Sequence, residues 1–261
     1  MKTFILTATL VLASCALAAQ APPTNPAFDV ATIKPVESTP QSGRYIVMQG
    51  PHRFVEKDYT LKLLIAAAYN LNPKAVSGGP SWIESDHYDI VALTPGETQP
   101  SHDQQMAMLR TLLGDRFKLA FHRESRVFSI YSLEIAKGGS KLKPSTAPQT
   151  EQPALTSTVY PQRILMPARN ASMADFVSVL QRAILDRPVV DKTALTGRYD
   201  FNLEWAPDES QFGGDVGSAP SDAPVPPFFT AIQQQLGLHL EATRGPIETI
   251  VVDHAERPSA N

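Results

Sequence analysis

The order in which this sequence places its turns, strands and helices constrains its fold most, because that order occurs twice. The stretches ESDHYDIVAL at 84–93 and LTGRYDFNLEW at 195–205 both lead from turn-forming residues through Tyr-Asp into alternating apolar positions. The two Tyr-Asp pairs, at Tyr88 and Tyr199, lie 111 positions apart. Alternation of this kind is typical of a half-buried strand.

An amphipathic helix is predicted before each of these strands. Thr60 and Ser172 are suited to N-cap them, and Asp175 follows Ser172 by three positions. Apolar residues then recur at helical spacing, which predicts one buried stripe on each helix. The stripes comprise Leu61, Leu64, Ile65 and Ala68 in the first occurrence and Met173, Phe176, Val177 and Leu180 in the second.

A second helix is predicted after each Tyr-Asp strand. In the first occurrence Ser101 and Gln104 form a capping box and Gly114 marks the helix end. In the second, Pro226-Pro227 begins the helix and Gly237 ends it. Two strands are predicted after each helix. The two strands of the first occurrence are predicted to form a hairpin around Ser125-Arg126. The predicted buried positions are Met106, Leu109 and Leu113 in one helix and Phe229, Ile232 and Leu236 in the other.

The repeated order predicts an α+β protein with two similar modules, 45–137 and 163–257, each a mixed or antiparallel sheet with two helices packed on one face. The segment 138–162 is rich in Pro, Ser, Thr and Gly and is predicted to be a linker or a long surface loop. A flexible insertion is predicted at 206–225, a Pro-rich leader with an opening strand at 19–44, and a tail at 258–261. The alternative is two unrelated α+β segments that share an element order.

The N-terminus has the layout of a secretory signal, with one Lys before an apolar run and small residues after it. Cleavage after Ala18 would give a soluble exported protein, periplasmic or extracellular. Cleavage before Cys15 would instead leave a lipid-anchored protein, because Leu12-Ala13-Ser14-Cys15 resembles a lipoprotein box. Cys15 is the only cysteine, so no intramolecular disulfide forms.

The charge distribution argues against polyanion partners. The formal net charge is −3, and acidic and basic residues are interspersed without a basic stripe. Nucleic acid is therefore not an expected partner, and a membrane is expected only through a lipid at Cys15. No phosphate-binding Gly loop, nucleophile elbow or metallopeptidase helix is present in the sequence, and no cofactor is predicted.

Two Asp-His pairs are the candidates for acid–base chemistry. They are Asp86-His87, with Asp89 nearby, and Asp253-His254. Neighbours on an extended chain point to opposite faces, so turn capping and strand-end positions are the alternative interpretation. The His-x-Glu pairs at His122, His239 and His254 place two ligand types on one strand face, but a zinc site needs three or four, and no metal site is predicted.

Aromatic and acidic residues beside the turns are candidates for a ligand site. They are Trp82, Tyr88, Tyr199, Asp200 and Trp205. The alternative for the two tryptophans is a hydrophobic plug over a sheet edge. The alternative for Asp89 and Asp200, which follow Tyr in equivalent places, is to cap a turn or accept backbone N–H groups at the strand entrance.

Several longer stretches resemble an exported, soil-associated family of unknown function that is expanded in acidobacterial genomes. These include FDVATIKP, YTLKLLIAAAYNL, VSGGPSWIESDHYDIVA and RPVVDKTALTGRYDFNLEW. The resemblance implies no reaction. Related domains are attached to membrane-embedded metallopeptidase sensors, which implies an extracytoplasmic sensing or binding role. The usual DKTGLTG is DKTALTG here, and Ala194 in place of glycine argues against a positive φ at this site.

These observations predict an exported cell-envelope protein that is a non-enzymatic binding or sensing module. Its partner is an envelope protein or a small ligand bound between the modules. One alternative is an envelope hydrolase that uses the Asp and His candidates, and another is a structural surface protein.

Overall fold

A computed structural model of the protein describes residues 25–39, 43–214, 216–220 and 222–258. Within these residues the chain forms three sheets and four α-helices, and the predicted α+β class is confirmed. The predicted signal segment 1–18, which includes Cys15, lies outside the described residues. No helix in the described part of the chain has both the length and the apolar character needed to cross a membrane.

The first sheet is antiparallel and is built from the N-terminal part of the chain. It has the order β1-β5-β3-β2, with β1 at Val30–Val36, β2 at Tyr45–Gln49, β3 at Arg53–Thr60 and β5 at His87–Leu93. Helix α1, Leu61–Ala68, follows β3 directly, and Thr60 caps it by accepting the N–H of Leu63. All four residues of the predicted α1 stripe are buried.

The second sheet repeats this arrangement farther along the chain. Strands β10, Arg163–Ser172, and β12, Arg198–Trp205, are antiparallel neighbours, and α3, Met173–Val179, follows β10 directly. Ser172 and Asp175 form the predicted capping box. The stripe residues Met173, Phe176 and Leu180 are buried, and Val177 is half-buried.

The segment 138–162 is not a free linker. It contributes β7, Lys143–Pro144, to the edge of β12, and β8, Ala154–Leu155, and β9, Thr158–Tyr160, to β10. An edge strand needs only a few residues with free N–H and C=O groups, so even a Pro- and Ser-rich segment can extend a sheet.

A long two-stranded ribbon forms the centre of the third sheet. Strands β6, Ala120–Ile135, and β13, Leu238–His254, pair antiparallel along their length, with Ala120 opposite His254 and Ile135 opposite Leu238. The predicted hairpin around Ser125-Arg126 is wrong, as is the division of β13 into two strands. Ser125 pairs with Glu248 and Arg126 with Ile247, so the ladder continues where a turn was expected.

Helices α2, His102–Phe117, and α4, Phe228–Ala231, precede the two ribbon strands. Helix α2 begins with the predicted capping box, but it passes through Gly114 and is capped by Lys118, in the left-handed conformation with φ 50°. Helix α4 continues as a π-helical turn to Leu236 and is capped by Gly237 at φ 66°, as predicted. Phe229 is exposed, and Phe228 takes the predicted buried position because its side chain packs on Trp205.

The two halves of the chain are joined through exchanged strands. Strand β4, Val76–Gly78, lies parallel to β13, and β11, Val189–Asp191, lies parallel to β6. Both halves therefore contribute two strands each to the third sheet, in the order β11-β6-β13-β4. Ile250 and Val252 of β13 pack in the core beneath the first sheet, and Leu133 of β6 packs in the core beneath the second.

Candidate functional site

A cleft of about 480 Å³ opens between α1 and the end of α3. Asn72 holds its two sides together, because its buried side-chain amide donates to the carbonyl of Gln181 at 2.7 Å. In return, the side chain of Gln181 donates to the carbonyl of Asn70 at 2.8 Å. The loop at 210–213, part of the insertion after β12, forms a third wall. Clefts of several hundred Å³ are typical of small-ligand sites.

Much of the cleft lining is apolar. The apolar residues come from α1, the segment after it, the end of α3 and the insertion, and they are Leu63, Ala66, Ala67, Leu71, Leu185 and Phe212. The lining also includes the guanidinium of Arg182 and the phenol of Tyr59, together with Arg44 from the entrance of β2. The Arg44 guanidinium lies 5.9 Å from the centre of the Tyr59 ring. The cleft is therefore amphipathic.

Arg182 owes its position to a π-helical turn. Helix α3 continues as a π turn over Leu180–Ile184, which closes with the N–H of Leu185 donating to the carbonyl of Leu180 at 2.7 Å. Such turns are rare and frequently occur at functional sites. Burial lowers the pKa of Arg182, although a guanidinium remains protonated in proteins.

Lys74 and Asp186 form the rim of the cleft. Their Nζ and Oδ2 atoms lie 3.6 Å apart, and both side chains are exposed. The rim therefore carries a solvent-screened pair, while Arg182 lies deeper.

Glu56 lies near Tyr59 but is not part of the cleft lining. Glu56 is 0 % exposed, and neither of its carboxyl oxygens has a hydrogen-bond partner in the described part of the chain. The N–H of Tyr59 lies near enough to lower the pKa in part, but its geometry falls short of a hydrogen bond. Burial, with the charge of Asp89, raises the pKa of Glu56 to about 9. The group is therefore neutral at neutral pH.

The chain, including the segments that form the cleft, was compared with known protein families. A family described as proteins of unknown function, DUF3738, matches residues 62–255. The chain belongs to this family. The predicted membership in a family of unknown function is confirmed at that level. No curated protein and no solved structure matches the chain.

Ala194 of this DUF3738 chain adopts a positive φ despite its side chain. Its φ is 57°, so the expectation that alanine argues against such a conformation is wrong. Thr193 fixes the turn from both sides: its N–H donates to Asp191 Oδ1 at 2.8 Å, and its hydroxyl accepts the N–H of Leu195 at 3.2 Å. These local bonds offset the steric cost of the left-handed conformation.

The residues predicted as ligand contacts do not line the cleft. Trp82 and Tyr88 pack in the core beneath the first sheet. Trp205 is fully buried beneath the second, where its Nε1–H donates to Gln211 at 2.9 Å, and Tyr199 packs against the same core. Asp200 lines a separate, shallower cleft of about 310 Å³ together with Arg169.

Asp89 and Asp200 both accept a backbone N–H, as their alternative interpretation predicted. Asp89 accepts from Asp58 at 3.1 Å, and Asp200 accepts from Asn170 at 2.8 Å. Both donors have positive φ and lie at β-bulges in β3 and β10. The Tyr-Asp repeat therefore marks two equivalent bulges.

The acid–base candidates contact different partners. Nδ1 of His87 lies 2.8 Å from Oδ1 of Asp58, whereas Asp89 contacts Lys57. Asp253 lies 2.8 Å from His122, and His254 lies 3.1 Å from Glu256. Asp86 pairs with Arg257 at 2.8 Å. None of these Asp and His candidates lines the cleft.

The His-x-Glu pairs at 122 and 254 lie on exposed strand surface. The described residues contain no group of three or more His, Cys, Asp or Glu side chains arranged to hold a metal ion.

The sequence analysis missed Tyr59, Arg182 and Glu56. Glu56 alone carried a visible signal, since it interrupts the apolar residues of a strand. Arg182 follows the α3 stripe by two positions, where a charged residue is expected on a solvated face. Only the contact between the two halves makes it part of a cleft.

Proposed function

We propose that this protein is exported and binds a small ligand in the cleft between α1 and the end of α3. The observation that carries the proposal is the amphipathic cleft of about 480 Å³, whose walls come from both halves of the chain. A cleft with apolar walls and a few convergent polar groups is the usual form of a small-molecule site.

The predicted binding or sensing role is retained in this proposal, but the residues assigned to it differ. The residues that line the cleft replace Trp82, Tyr88, Tyr199, Asp200 and Trp205 as the proposed ligand contacts. The hydrolase alternative uses the Asp and His candidates near residues 86–89 and 253–254, and none of them lines the cleft. A purely structural role would give no reason for an arginine in a cleft.

Export and duplication belong to the same proposal. The signal-like layout of 1–18 supports export, with cleavage after Ala18 or lipidation at Cys15 as the two forms. The equivalent bulges, caps and exchanged strands support an origin of the two halves by duplication. Mass spectrometry of the mature N-terminus distinguishes cleavage after Ala18, lipidated Cys15 and retention of the whole leader, and the last result would contradict export.

Binding is tested with a variant that fills the cleft. Ala183 lines the cleft and is exposed, so Ala183→Trp occupies the space without burying a new side chain in the core. Ala174, exposed on α3 outside the cleft lining, provides the matched control Ala174→Trp.

The mature protein is screened by thermal shift against a library of neutral, cationic and anionic metabolites. We expect compounds that raise the Tm of the wild type and of Ala174→Trp but leave that of Ala183→Trp unchanged. A library with no such compound, or with shifts of equal size in Ala183→Trp, contradicts binding in this cleft.

A further inference from the structure

The positive charge of Arg182 has no carboxylate partner among the cleft-lining residues that the structure describes. The described lining residues also include the pair of Lys74 and Asp186. Lys74 and Asp186 face each other at the rim, so the charge of Arg182 is not balanced there. An anion in the cleft would balance it.

Arg182 is mostly enclosed by protein, yet the protein gives it little to bind. Its Nε–H donates to the hydroxyl of Ser178 at 3.1 Å. Throughout the described ranges no carboxylate lies within ion-pair distance of its guanidinium, and its two terminal nitrogens have no protein acceptor. A buried cation without a counter-charge is costly unless a ligand supplies one.

Tyr59 provides a second donor in the cleft, close enough to Arg182 for the two groups to interact electrostatically. Its hydroxyl has no hydrogen-bond partner among the residues that the structure describes. Burial raises the pKa of Tyr59, and Glu56 adds to this effect, so the phenol keeps its proton and can donate it in a hydrogen bond. Because Glu56 is itself neutral at neutral pH, it does not oppose an anion there.

The form of the cleft limits the kind of anion. The C-terminal ends of α1 and α3 lie beside it, and their partial negative charge disfavours a phosphate dianion about twice as strongly as a carboxylate monoanion. A planar guanidinium instead matches a carboxylate through two parallel hydrogen bonds. The apolar part of the lining, which includes Leu63, Leu71 and Phe212, is suited to an aliphatic or aromatic group.

We infer that the ligand is a small carboxylic acid with an apolar body, an inference that rests on the proposed function. Its carboxylate is bound by the guanidinium of Arg182 and the hydroxyl of Tyr59. Its apolar body packs on the α1 wall and Phe212.

The experiment measures affinities by titration calorimetry on the mature protein. The probes are hexanoate, decanoate and phenylacetate, their neutral amides, hexylamine and phenyl phosphate. We expect the carboxylates to bind at least about tenfold more tightly than their amides, since hydrogen bonds to a charged group add affinity. We expect Arg182→Gln to weaken carboxylate binding about 10- to 100-fold without changing amide binding, and Tyr59→Phe to weaken it less.

Arg126→Gln is the matched control, because Arg126 is an exposed arginine on the ribbon that pairs with Glu124. It is expected to bind every probe like the wild type. Arg182→Lys, which keeps the charge but not the planar pair of donors, is expected to fall between wild type and Arg182→Gln. Circular dichroism establishes that each variant is folded.

The outcomes separate this inference from the proposed function. If amides or phenyl phosphate bind as tightly as the carboxylates and Ala183→Trp abolishes their binding, the cleft is a ligand site and the carboxylate inference is wrong. The same holds if Arg182→Gln binds carboxylates like the wild type. If no carboxylate binds while the metabolite screen yields cleft ligands of another class, the inference alone fails. If that screen yields none, both fail.

Discussion

The backbone N–H of Asn170 donates to Oδ1 of Asp200 at 2.8 Å, across the bulge where β10 meets β12. Asp58 and Asp89 make the equivalent contact at 3.1 Å between β3 and β5. In each case the donor has a positive φ, and the chain enters a helix two residues later through Thr60 or Ser172. The aspartate therefore fixes the direction from which the helix leaves the sheet.

This contact predicts a specific effect of substitution at Asp200. The hydrogen bond from the N–H of Asn170 lowers the pKa of Asp200 most, and the contact with Ser145 lowers it further. Its contribution to stability is therefore present above the ordinary aspartate pKa of about 4 and is lost as the pH falls below it.

We expect Asp200→Ala to lower the Tm at pH 7, and Asp200→Asn to lower it less, since the amide oxygen still accepts the N–H. The difference between wild type and Asp200→Ala should shrink in acid, as followed by thermal unfolding from pH 7 down to pH 3. Equal Tm values for Asp200→Ala and the wild type at pH 7 would contradict this role.

Glu56 predicts the opposite pH dependence. Its pKa is raised to about 9 in the folded protein, so the unfolded chain loses this proton at lower pH than the folded protein does. From about pH 5 up to pH 9, the free energy of unfolding should therefore fall with rising pH, by at most about 1.4 kcal/mol per unit. The decline should level off above the folded pKa.

Glu56→Gln stays neutral at every pH and is expected to remove this decline, making the variant more stable than the wild type near pH 8. Urea unfolding at a series of pH values measures the effect. Glu241→Gln, which changes an exposed glutamate on β13, is the control and should follow the wild type. Parallel curves for Glu56→Gln and the wild type would show that Glu56 is ionised in the fold.

Ala194 predicts a stabilising substitution. A residue with a side chain at φ 57° is strained, and glycine relieves the strain, although it also gains freedom in the unfolded chain. We expect Ala194→Gly to raise the free energy of unfolding by up to about 1 kcal/mol. Ala174→Gly, at an exposed helical position of α3, should lower it by about 1 kcal/mol. Both are measured by urea unfolding, and a loss of stability in Ala194→Gly would contradict the strain argument.

The exchanged strands predict that neither half folds alone. A chain cut between residues 149 and 150 divides the ribbon, so β6 loses β13 and β4 loses its only described neighbour. We expect fragments 25–149 and 150–258 to lack cooperative unfolding separately and to regain it when mixed in equal amounts, as followed by circular dichroism. A monomeric 25–149 fragment with its own sharp transition would contradict the interlocked arrangement. A fragment that dimerises through its own ribbon would also show that the ribbon needs a partner.

The sequence by itself determined the local elements of this protein. Contacts within a few residues determine the caps at Thr60, Ser101 and Ser172. The apolar stripes of α1 and α3 and the alternation in the two Tyr-Asp strands are local in the same sense. Periodicity and side-chain capping report such contacts directly. The predicted role of Asp89 and Asp200 as acceptors followed from the same kind of reasoning, because each lies at a strand entrance.

The tertiary structure decided which strands pair and where the cleft lies. Ser125 continues the ribbon because Glu248 lies opposite, and no local pattern reveals a partner so far along the chain. Arg182 lines a cleft only because α1 packs nearby, and Glu56 has a raised pKa only because the assembled chain buries it completely. Burial and long-range pairing belong to the assembled chain, whereas periodicity belongs to each segment alone.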